Sequence, residues 1–101
     1  MTQATAPTTF VEESRPHRVA ALMWVAEHAG ILSDGYNVTV GATYDSKAGG
    51  LFGDVSVLGE PGALQALVAR LDAVRNLDKD GDWREWVTFE DGVRIRLVEG
   101  A

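Results

Sequence analysis

Trp83-Arg84-Glu85-Trp86-Val87-Thr88-Phe89-Glu90-Asp91-Gly92-Val93-Arg94-Ile95-Arg96-Leu97-Val98 is the stretch on which the fold turns. Two runs rich in β-branched and aromatic residues flank a Glu-Asp-Gly turn, the pattern of a β-hairpin. Its register admits two readings. A two-residue loop at Asp91-Gly92 sets Phe89 against Arg94 and Val87 against Arg96, which mixes apolar and charged side chains on both faces. A three-residue loop with Gly92 in the left-handed position of a bulge turn pairs Phe89 with Val93 and Val87 with Ile95. The second register sorts the side chains and is the one the pattern predicts. Trp83, Val87, Phe89, Val93, Ile95 and Leu97 then face a core, while Arg84, Trp86, Thr88, Arg94, Arg96 and Val98 face away.

Upstream of the hairpin, Glu60-Pro61-Gly62 opens a helical pattern in which Leu64, Leu67, Val68, Leu71 and Val74 recur at helical spacing. Before it, Tyr36, Val38, Val40, Ala42 and Tyr44 alternate with polar or small residues. Leu51, Gly53, Val55 and Val57 do the same after the Asp45 to Gly50 turn, so the two runs predict a first hairpin. It would add Thr39, Thr43, Phe52 and Ser56 to the outward face. A first helix is expected from about Arg15 to Ala29, with Ser14 as its N-cap, Pro16 in the first turn and Gly30 as its stop. Its apolar residues form no single stripe: Val19, Leu22, Met23 and Ala26 share a side, while Trp24 and Val25 point elsewhere. Such a helix is sandwiched in its own chain or covered by another. Residues 1–13 are Thr/Ala/Pro-rich and aperiodic, which predicts a flexible tail ahead of one domain at 14–101.

The order is therefore αββαββ, an α+β domain with a four-stranded antiparallel sheet and its helices packed on one face. A chain of 101 residues has room for one core. With no cysteine, disulfides and thiolate metal sites are excluded. No apolar run is long enough to span a membrane, and the opening residues lack the basic and apolar regions of a signal peptide, so a cytoplasmic protein is expected. A net charge of −6 disfavours anionic membranes and non-specific nucleic-acid binding over most of the surface.

The motifs divide between binding and bland structural roles. Arg84, Trp86, Thr88, Arg94, Arg96 and Phe52 on one open face suit stacking on bases or an aromatic and arginine-rich protein interface. The same residues also suit an exposed ladder that only stabilises the hairpin. Met23, Trp24 and Val25 exposed together would form an apolar patch that self-association covers. Asn76 to Asp82 begins like a calcium loop, with Gly81 at the sixth position, but Arg84 and Val87 stand where the later ligands belong, and an acidic surface turn is the plainer reading. His17 and His28 lie about 16 Å apart along a helix and cannot share a metal. Gly49-Gly50-Leu51-Phe52-Gly53 enters a strand rather than a helix, and no nucleophile elbow surrounds any serine. No cofactor and no enzymatic activity are expected.

Two phrases carry a resemblance: Trp24-Val-Ala-Glu-His-Ala-Gly30 and Gly59-Glu-Pro-Gly-Ala-Leu-Gln-Ala-Leu-Val-Ala-Arg-Leu71. With many alanines, valines and arginines and only two lysines, the chain resembles small proteins of GC-rich actinobacteria and their phages. The resemblance implies an accessory or mobile-element context and identifies no functional residue. The expected function is a protein-interaction domain whose partner is another protein or itself. The alternatives are a nucleic-acid-binding module using the Arg/Trp face, and an acidic inhibitor that mimics nucleic acid.

Overall fold

The computed structural model describes residues 5–32, 36–77 and 83–100. The chain is α+β, with helix α1 (Thr5–Glu27), strand β1 (Asn37–Asp45), a 3₁₀ turn (Ser46–Ala48), β2 (Gly50–Gly59), α2 (Gln65–Leu71), β3 (Val74–Arg75), β4 (Trp83–Glu90) and β5 (Val93–Gly100). Among the described residues the sheet has five strands, in the order β1-β2-β5-β4-β3. It is mixed, because β5 lies parallel to β2 while the other neighbours are antiparallel. The expectation of four antiparallel strands is corrected on both points. Alternation within each strand predicts a hairpin but says nothing of which strands meet between hairpins. The added strand comes from Val74 and Arg75, although Val74 fits the helical spacing that begins at Leu64.

That helix stops early for a local reason. Asp72 adopts φ 55, and the Ala73 and Asp72 N–H groups donate back to the carbonyls of Val68 and Ala69, a Schellman closure made without glycine. Val74 leaves the helix to pair with Val87 and is largely exposed. At the other end α2 has no side-chain cap of its own. The buried Glu99 of β5 stands there instead, accepting from the Leu64 N–H and the Gln65 side chain at 3.4 Å each.

Helix α1 begins at Thr5, so Ser14 is not an N-cap but a buried mid-helix residue that accepts from Arg18 Nη1. Pro16 lies within the helix and removes one internal hydrogen bond. Ser14, Ala21 and Trp24 are buried, and His17 and His28 are half-buried at matching spacing, which gives α1 its core-facing side. It packs closely on β2: a Cβ added at Gly53 would stand 2.6 Å from the His17 carbonyl oxygen.

Both helices cover one face of the sheet. Their side chains Ala21, Trp24, Leu64, Leu67 and Leu71 form one core with Val55, Val57, Val93, Ile95, Leu97 and Trp86.

Candidate interaction surfaces

The β4–β5 hairpin decides what the open face of the sheet displays. Asp91 and Gly92 both have positive φ, 53° and 77°, and Glu90 pairs with Val93 across them. This is the two-residue loop of the type that Asp-Gly favours. Phe89 therefore faces Arg94, Val87 faces Arg96 and Trp86 faces Leu97. The three-residue register is overturned, and with it the Arg/Trp face.

Trp86 turns into the core, 8% exposed, with the Arg75 guanidinium 5.4 Å from its ring centre. Arg84 and Thr88 share its side of the strand, whereas Arg94, Arg96 and Phe52 lie on the open face with Trp83, Glu85, Val87 and Phe89. The predicted set is thus divided between the two faces.

Charges and apolar groups mix on the open face because each arginine has a neighbour that answers it. Arg94 Nε donates to Asp54 Oδ1 at 2.8 Å, and its guanidinium lies 5.1 Å from the Phe52 ring centre. Phe52 meets Phe89 edge to face at 5.8 Å. Arg96 Nε donates to Glu85 Oε2 at 2.8 Å, and Glu85 Oε1 accepts from Asn76 Nδ2 at 2.7 Å. Asp54 and Glu85 are the residues that pattern reading passes over. In the two-residue register Glu85 leaves the core side and lies beside Arg96, a signal that could have chosen it, whereas Asp54 meets Arg94 through the β2–β5 pairing, which the hairpin does not specify. A depression of about 470 Å³ lies over this face, its lining including Asp45, Lys47, Val74, Asn76, Val87 and Phe89.

The predicted apolar patch on α1 also divides. Trp24 is 2% exposed; its indole donates to Glu90 Oε1 at 2.8 Å and its ring stacks on His28 at 4.0 Å. His28 Nδ1 donates to the Trp24 carbonyl at 2.7 Å, and its Nε2 stands 3.6 Å from Glu90 Oε1. Val25 is half-buried against the core. Met23 alone of the three is open, 56% exposed, and beside it on the helix stand Val19 at 46% and Leu22 at 57%. The side that shares Val19, Leu22, Met23 and Ala26 faces solvent, so α1 is apolar on two opposite sides.

Among the described residues no three His, Asp or Glu side chains come together as a metal site. Asp78 to Asp82, the candidate calcium loop, lies outside the described residues. No described helix is long and apolar enough to cross a membrane. No protein-family model matches the chain, and neither a curated protein nor a solved structure matches it.

Proposed function

We propose that this chain is a non-enzymatic protein-interaction domain that associates with itself. The observation that carries the reading is the row Val19, Leu22 and Met23 on the solvent side of α1. A helix needs one apolar side to dock on its own sheet, and α1 already has that side in Ala21 and Trp24. A second apolar side, left in water, is the mark of a surface that another chain covers. A symmetric pair of copies is the commonest way to cover one.

The open sheet face weighs against the nucleic-acid reading. Phosphate binding draws on cationic charge that can displace counterions, and Arg94 and Arg96 are each held at 2.8 Å by a carboxylate on a chain of net charge −6. Light scattering after size exclusion tests the proposal. The mass should rise from 10.9 kDa toward twice that value with concentration, and Leu22→Glu with Met23→Glu should return it to the monomer. A monomer at every concentration contradicts the reading.

A further inference from the structure

The two edges of the sheet are unlike. β3 is a two-residue edge, too short to template another strand, but β1 is nine residues long and no described strand pairs with its outer side. Sheet edges are normally blunted by lysine, proline, a bulge or shortness. Asn37-Val-Thr-Val-Gly-Ala-Thr-Tyr-Asp45 has none of these: its only charge is the terminal Asp45, and its register with β2 runs unbroken from Asn37 opposite Leu58 to Asp45 opposite Gly50.

We infer that a second copy of this chain adds to the β1 edge, antiparallel, about a two-fold axis through Gly41 and normal to the sheet. This rests on the self-association reading and names its interface. Side chains alternate along a strand, so only pairings of like parity keep both copies' helices on the same face. Among these, the register centred on Gly41 uses all nine residues. It places Val40 opposite Ala42 of the second copy and Val38 opposite Tyr44, on the helix side. It places Thr39 opposite Thr43 and Asn37 opposite Asp45, on the open side. Tyr44, 64% exposed, gains a β-branched neighbour, and the threonines gain each other, both favourable cross-strand pairs. Asn37 brings an amide donor to a carboxylate.

Helix α1 agrees with this placement. Its Trp24 flank leans to the β4–β5 turn through Glu90, and Met23, on the solvent side, borders the cleft that Ala20 and Glu27 share with Asp91. The Leu22 side therefore looks out over β1. In the paired sheet the two α1 helices run antiparallel on one face, each presenting that side to the other.

The chain lacks cysteine, so single cysteines report only contacts between copies. Residues opposite each other in an antiparallel pair lie about 4.5–5.5 Å apart at Cα, within disulfide reach. Gly41→Cys adds a side chain where nothing stands within 4 Å, and with oxidised glutathione it should give a covalent dimer on non-reducing gels. Thr39→Cys and Thr43→Cys should cross-link only when mixed. Thr39→Lys with Thr43→Lys places lysines opposite lysines and should weaken dimerisation about tenfold, whereas Thr39→Lys with Thr43→Glu should retain it. A dimer by light scattering that ignores these changes overturns the β1 interface and leaves self-association standing. A monomer throughout overturns both.

Discussion

The two faces of β2 and β5 are made by alternate residues of the same strands, yet they are held by different forces. Val55, Val57, Val93, Ile95 and Leu97 form a dry layer under the helices. One residue along in each case, Asp54, Arg94 and Arg96 form a layer of ion pairs and ring contacts. A charged position in a strand is thus not evidence of free charge. On the open side Arg94 and Arg96 are answered by carboxylates, while apolar side chains stay exposed both there, at Val74, Trp83 and Phe89, and on α1, at Val19, Leu22 and Met23.

Changes on the two faces should therefore differ in size and in additivity. Ile95→Ala on the covered face removes a fully buried side chain and should cost about 2–5 kcal/mol in urea unfolding. Gly53→Ala should cost about 1–3 kcal/mol, because the new Cβ meets the α1 backbone at 2.6 Å and the helix must shift. On the open face, Arg96→Ala removes the guanidinium that donates to the buried Glu85 at 2.8 Å, and a loss of about 1–3 kcal/mol is expected. A double-mutant cycle of Phe52→Ala and Phe89→Ala should show coupling of about 0.5–1.5 kcal/mol. Smallest is the partly exposed Arg94–Asp54 pair, whose cycle should return about 0.2–1 kcal/mol. An Arg96→Ala cost no larger than the Arg94–Asp54 coupling would remove the distinction between the buried carboxylate of Glu85 and the more open one of Asp54.

The α+β class, both hairpins and the start of the second helix were legible because each depends on local period and turn chemistry. The β4–β5 register was legible as well, since Asp91-Gly92 is the strongest short hairpin signal available. Preferring uniform faces over that turn reversed Trp86 and Phe89. Glu85 beside Arg96 follows from the same hairpin register, whereas Asp54 beside Arg94 runs across β2 and β5, whose adjacency no local pattern carries. The parallel β2–β5 contact and the two residues of β3 were hidden for the same reason. On α1, the Val19, Leu22, Met23 and Ala26 side was recognised as one face, yet two apolar sides compete for one sheet. The winner was the side where Trp24 could bury its ring and still find Glu90 for its indole N–H.

Surfaces that meet a second copy and surfaces that stay in water differ residue by residue in their response to dilution. Amide shifts of the labelled native chain, followed from millimolar to micromolar concentration, should change along Asn37–Asp45 and around Leu22 and stay still at Phe89, Arg94 and Arg96. Concentration-dependent shifts confined to the β4–β5 open face, with β1 and α1 silent, would contradict the account.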